Sequence, residues 1–172
     1  TQRYGHRSRE TNMTSINKTL LIQASAEQAW AVIADFGNVY KFHPKVKQSP
    51  LLGDKSTGLG AMRRCDFYDG GSVVETITDW QPGKKMTVAL SEMNMPLKWA
   101  NASLIVNATG ANQCEVTINM EFAVKMGPLG WLMAQVMMKP MMAGMFKQVI
   151  KALETHLQTG KEIGKNGKPM AA

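Results

Sequence analysis

Several things are scarce in this 172-residue chain, and each scarcity removes a class of function. There are two cysteines, Cys65 and Cys114. Two are too few for a disulfide framework, and lone thiols fit a reducing compartment. No run approaches 18 consecutive apolar residues, so no transmembrane helix is expected. No charged start leads into an apolar stretch, so the expectation is a cytoplasmic protein without a secretory leader. The three histidines sit far apart, and no histidine/carboxylate cluster has metal-ligand spacing. No nucleophile-elbow motif and no glycine-rich phosphate loop occurs. Neither a metal nor an organic cofactor is therefore expected.

Charge of one sign is plentiful, but only at the ends. The formal net charge is +7. Arg3, Arg7 and Arg9 lie in the first twelve residues, and Lys161, Lys165 and Lys168 in the last twelve. Without these ends, 14 basic and 11 acidic residues remain. The middle has no arginine-rich helix and no basic run interleaved with aromatics, which excludes a nucleic-acid module.

Composition divides the chain simply. Residues 1–12 are polar and aperiodic and precede Met13, which reads as a disordered extension before a natural start. Residues 161–172 are rich in glycine and lysine and read as a disordered tail. One domain is expected over 13–160.

Within it, INKTLLIQ reads as a strand. SAEQAWAVIADF follows, with Ser25 as N-cap and Gln28 three residues on, a capping-box pattern. GNVYKFHP suggests a second short helix that ends before Pro44. The period then changes to two over about Ala61–Phe67, over SVVETITDW, MTVALSEM and LKWANASLIVNA, and over CEVTINMEFAV. From Gly130 the period returns to 3.6, and Met138, Met142, Phe146, Val149, Leu153 and Leu157 form one stripe. Pro140 predicts a kink or break, with a short helix before it and a long one after. A curved antiparallel sheet of about seven strands, crossed by one long helix, is the natural α+β packing. One helix is narrow for so much concave surface, so a hollow is expected.

This order of elements, carried by AEQAWAVIADFGNVYKFHP, GLGAMRRCDFYDGGSVVETI and GPLGWLMAQ, resembles the helix-grip superfamily of START-related proteins. The resemblance covers Ile16 to about Thr159. It includes a bacterial branch of polyketide cyclase/dehydrase and lipid-transport proteins. What it implies is a hydrophobic cavity between the sheet and the long helix, with chemistry that varies from carrier to receptor to cyclase.

The two-residue period puts Arg63, Cys65 and Phe67 on one strand face, and Val73, Glu75 and Ile77 on another. The turn at Asp69-Gly70-Gly71 can bring Arg63 to Glu75, and the resemblance implies that both point into the cavity. An ionic pair in an apolar hollow suggests an anchor for a polar head group, against the plainer reading of a structural pair. Ile118, Met120 and Phe122 are expected to line the cavity, which turns Glu121 to solvent. His43 is a candidate at the cavity mouth, as a general base or as a surface residue. Trp99 and Trp131 are placed near the opening. Arg63, Glu75 and His43 are the weak candidates for catalysis.

Six of the thirteen residues Met133–Met145 are methionine. They alternate with Leu, Val, Ala and Phe at helical spacing, unlike an exposed copper(I) box. Met138, Met142 and Met145 fall with Phe146 on the inner stripe. Met133, Met137 and Met141 fall on the other side and need a partner, whether a second copy, a membrane surface or nearby loops. The leading expectation is a binding or transport protein for a lipid, isoprenoid or polyketide-like molecule. The alternative is a cyclase/aromatase-like enzyme using the same cavity.

Overall fold

The computed structural model describes residues 13–171. The expectation for residues 1–12 lies outside these.

Strand β1 (Met13–Ile22) opens the fold and leads into helix α1 (Ala26–Ala34). The capping box forms as its sequence requires: the Gln28 amide donates to Ser25 Oγ at 3.1 Å, and the Ser25 amide donates to Gln28 Oε1 at 3.0 Å. A 3-10 helix over Phe36–Lys41 follows. Short strands β2 (Val46–Gln48) and β3 (Leu51–Leu52) come next, then β4 (Met62–Phe67) and β5 (Ser72–Gln81). Strands β6 (Lys85–Ser91), β7 (Leu97–Gly110) and β8 (Gln113–Val124) complete the sheet.

All eight strands belong to one antiparallel sheet, ordered β1-β8-β7-β6-β5-β4-β2, with β3 also paired to β4. The six strands named from the sequence omit β2 and β3. At three and two residues they are too short to show a period.

Cross-strand registers carry the inner face from strand to strand. One row runs Arg63, Glu75, Leu90, Ala100, Phe122, Thr14. The next runs Ile77, Val88, Ala102, Met120, Ile16. The second row is wholly apolar and the first is half apolar with Arg63 and Thr14 buried, so this face is the core and a one-residue slip would expose it.

Helix α2 (Gly127–Met133), a π-helical turn (Ala134–Met138) and helix α3 (Lys139–Thr159) close the domain. The expected short helix before Pro140 and long helix after it are present, joined by the π turn and not by a loop. The backbone stays in the right-handed helical region through Met133, Ala134, Met138 and Lys139. Pro140 has no N–H to donate, and the helix absorbs that gap by widening one turn, with the Lys139 amide reaching back to the Ala134 carbonyl. Gly160, at φ 66°, ends α3 in the left-handed region that a side chain disfavours. Met142, Phe146, Val149, Ile150 and Leu153 are buried on α3, which approaches β1 more closely than any other strand. Among the described residues, no helix is long and apolar enough to cross a membrane.

The last segment departs from the expected disordered tail. Residues 161–170 turn back on themselves, with Ile163 bridged to Pro169 and the Met170 amide donating to the Glu162 carbonyl at 2.8 Å. Ile163 is only 1 % exposed, and its amide donates to the Lys41 carbonyl at 2.8 Å. One isoleucine set among lysines and glycines anchors the turn against the 3-10 helix, and average composition conceals it.

Candidate functional site

The polar centre of the inner face begins with a turn. Asp69-Gly70-Gly71 joins β4 to β5, with Gly70 at φ 93° and the Gly71 amide donating to Asp69 Oδ1 at 3.0 Å. This fixes the register in which Arg63 lies directly across from Glu75. Arg63 is 4 % exposed. Its Nε donates to Glu75 Oε2 at 2.6 Å, and Nη2 reaches the same oxygen. Its Nη1 donates to the Phe36 carbonyl at 2.6 Å, and the guanidinium carbon lies 4.0 Å from the centre of the Phe36 ring. Arg63 is thus held by a carboxylate, a backbone oxygen and an aromatic face together.

Every recorded polar contact of the Glu75 carboxylate falls on Oε2, including a long one from Cys65 Sγ at 3.8 Å. Among the described residues, Oε1 has no hydrogen-bond partner, and no polar side-chain atom is both buried and unpaired. Oε1 is therefore the acceptor that this cluster leaves available.

Two neighbours are held in their uncharged forms. His43 is half-buried, and its Nδ1 accepts from the Lys45 amide at 3.2 Å, which leaves the proton of the neutral ring on Nε2. Desolvation lowers its pKa to about 4; nearby Glu75 opposes that shift and Arg63 reinforces it. Burial, with Glu75 second, pushes the Cys65 thiol up to about 12. Cys65 is thus a thiol at neutral pH and not a nucleophile. Both cysteines are free and buried.

The apolar residues expected to line a cavity mostly belong to the one buried core of the domain. Cys65, Val73, Ile77, Ile118, Met120 and Phe122 are buried on the inner face, and Met142 and Phe146 face them from α3. Phe67 and Met138 are half-buried against the same core. Trp99 is a correction. A bulge between Leu97 and Trp99 shifts the alternation, pairs Trp99 with Ala123, and leaves it 39 % exposed on the outer face. Trp131 is exposed on α2. Glu121 pairs with Ser15 and Asn101 on the outer face, as expected.

The side chains expected around a hollow are buried in the core. Met86, Met120, Phe122, Met142 and Phe146 are each less than a tenth exposed. The two prominent clefts lie elsewhere. One of about 350 Å³ runs between α1, the 3-10 helix and the end of α3, beside Asp35, Lys41, His156 and Glu162. The other, of about 180 Å³, lies beside Lys151 and Asn166. Methionine suits such a core, because three rotatable bonds let it fill irregular space that branched side chains leave open. Phe36 was missed as a site residue. Its ring has an ordinary helical spacing, and its carbonyl has no signature in sequence.

A curved antiparallel sheet with a long C-terminal helix defines the helix-grip fold. The model of the polyketide cyclase/dehydrase and lipid transport family matches residues 13–158, and the chain belongs to that family. A comparison with curated protein sequences finds no match. Solved structures share the fold at low identity. An uncharacterised protein of Bacillus thuringiensis is 18 % identical with a TM-score of 0.69, over 84 % of this chain and 99 % of that one. The ZhuI aromatase/cyclase of a Streptomyces species is 14 % identical with a TM-score of 0.62, over 85 % and 94 %. Norcoclaurine synthase of Thalictrum flavum is 16 % identical with a TM-score of 0.62, over 92 % and 99 %.

Two predictions follow from the cluster's electrostatics. Breaking a buried pair strands the other charge, so Glu75→Leu is expected to lower unfolding free energy by about 3 kcal/mol in urea denaturation. Arg63→Met combined with Glu75→Leu should recover at least half of that loss; two single-variant costs that simply add would show the pair is not coupled. For His43, the unfolded chain binds a proton near pH 6.5 and the folded chain only near pH 4. This contribution to stability is complete above pH 6.5 and is lost as pH falls toward 4. His43→Asn should flatten the melting-temperature profile across that window, and an unchanged slope would locate the effect in other groups.

Proposed function

We propose that the chain binds an apolar small molecule carrying a hydroxyl-type donor, held between the inner face of the sheet and α3 with its polar end at Glu75. The candidate ligands are lipids, isoprenoids and polyketide-like compounds. The observation that carries this reading is the available, solvent-accessible Oε1 of Glu75, beside an arginine whose charge is already matched. An arginine waiting for an anionic head group would be unpaired. Arg63 is tied to Glu75 and to the Phe36 carbonyl, so the cluster is close to neutral and offers an acceptor. Entry requires the interior side chains to move, and Met86, Met120, Met138 and Met142 are the ones whose rotamers change most readily. Two free buried thiols agree with a cytoplasmic setting.

Native mass spectrometry of the protein purified from cells should show a retained apolar molecule. A fluorescent long-chain alcohol should bind at least about tenfold more tightly than the matching carboxylate, since an unmatched buried anion is penalised. No uptake of either probe would overturn the proposal, and preference for the carboxylate would overturn its polar assignment.

A second reading, a cyclase-like enzyme, is favoured by one observation: His43 is neutral near pH 7 and lies close enough to Glu75 and Arg63 to feel both charges. A neutral imidazole beside a carboxylate can move a proton during enolisation of a poly-carbonyl chain. Incubated with such a chain, the protein should change the product profile, and Glu75→Gln and His43→Asn should each abolish that change. Profiles unaffected by either substitution would remove the enzyme reading and leave the binding reading intact.

A further inference from the structure

The outward face of α2, the π turn and the start of α3 is apolar for about four turns. Leu129, Leu132, Met133, Val136, Met137 and Met141 recur at helical spacing and are 43–68 % exposed. Pro140 and Gly144 continue the row without adding a polar group. At 1.5 Å per residue, the stretch from Leu129 to Met141 is about 18 Å long. Further along α3 the exposed positions become Lys147, Gln148 and Lys151. Exposed apolar residues scattered singly need no explanation, but a continuous stripe does.

The charge around the stripe identifies what it meets. From Phe122 to Leu153 the chain has no acidic residue, and its only charged side chains are Lys125, Lys139, Lys147 and Lys151. A second copy docked about a twofold axis would bring these lysines toward their own counterparts, with no carboxylate on the segment to pair with them. A surface that is apolar beneath and negative above matches both features: acyl chains take the methionine and leucine side chains, and lipid phosphates take the lysines. Trp131, 38 % exposed on the flank of α2, suits the boundary between the two layers.

We infer that residues 126–147 form a docking face for an anionic lipid bilayer, lying in the plane of the interface with the apolar stripe in the outer acyl region. The proposal does not depend on the ligand at Glu75. An outward position on the helix also separates it from the inner methionines: Met142 is 8 % exposed, whereas Met141 is 68 % exposed.

The test is flotation of the full chain with vesicles of phosphatidylglycerol mixed with phosphatidylcholine, and with vesicles of phosphatidylcholine alone. The wild type should float with the mixed vesicles and at least about tenfold less with the neutral ones. Met137→Glu with Met141→Glu should lower binding to mixed vesicles by at least about tenfold. The control pair Gln81→Glu with Asn107→Glu makes the same charge change at exposed positions of β5 and β7, and should stay close to wild type. Should the first pair lower the melting temperature, Met137→Gln with Met141→Gln adds no charge and should still reduce binding. The inference is overturned if the wild type does not float, if both glutamate pairs fall equally, or if neither falls. It is also overturned if sedimentation shows a dimer that the Met137→Glu, Met141→Glu pair dissolves while the wild type leaves vesicles alone; that result would assign the face to a second copy.

Discussion

The fold depends on what it takes to bury Arg63. A guanidinium removed from water is costly unless its donors find acceptors with good geometry. Two elements supply three contacts: β5 through Glu75, and the 3-10 helix through both the Phe36 carbonyl and the Phe36 ring. One side chain therefore fixes the β4–β5 register and ties the helical layer to the far end of the sheet. Phe36 is itself fully buried, so neither partner can move without exposing the other. A slip of one residue in the hairpin would turn Arg63 outward and leave the Phe36 carbonyl without that donor.

The closing helix shows the same economy in a different currency. Pro140 removes one backbone donor, and the turn before it widens so that the helix continues. Keeping the helical path unbroken keeps both of its faces in phase. Gly130, Ala134, Met142 and Phe146 are buried on one side, and Leu129, Met133, Met137 and Met141 are exposed on the other. Methionine serves on both sides for the same property, side-chain flexibility without charge: inside it fills irregular volume, and outside it presents adaptable apolar surface.

Legibility in the sequence followed the range of the forces involved. Alternation marked β4 to β8 because each buries one face, and the 3.6 period marked α3 for the same reason. The Arg63–Glu75 contact was also readable, because both lie on period-two faces around a turn written as Asp-Gly-Gly. Trp99 was misassigned, since a bulge inserts one residue into the alternation and carries no residue signature of its own. The Phe36 carbonyl was invisible because every residue has one. The packing of the interior was also unreadable, because a period shows which face is inward and not how closely the facing side chains meet. Ile163 was lost in the average of a polar tail, although a single apolar residue suffices to anchor a turn.

Structures with this fold include an aromatase/cyclase and a norcoclaurine synthase at 14 % and 16 % identity, so the scaffold does not choose the chemistry. That choice falls to the few polar groups on the inner face. Here the Cys65 thiol is held protonated and the His43 imidazole neutral at physiological pH, while Arg63 and Glu75 cancel one another. No unmatched charge faces the interior from these four residues, and on the proposed binding reading the feature left to discriminate between ligands is a single carboxylate oxygen. A neutral molecule with one donor satisfies that oxygen, whereas an anion would have to displace Glu75 from Arg63. On that reading, the chemistry of the ligand is set by the same pairing that ties β4, β5 and the 3-10 helix together.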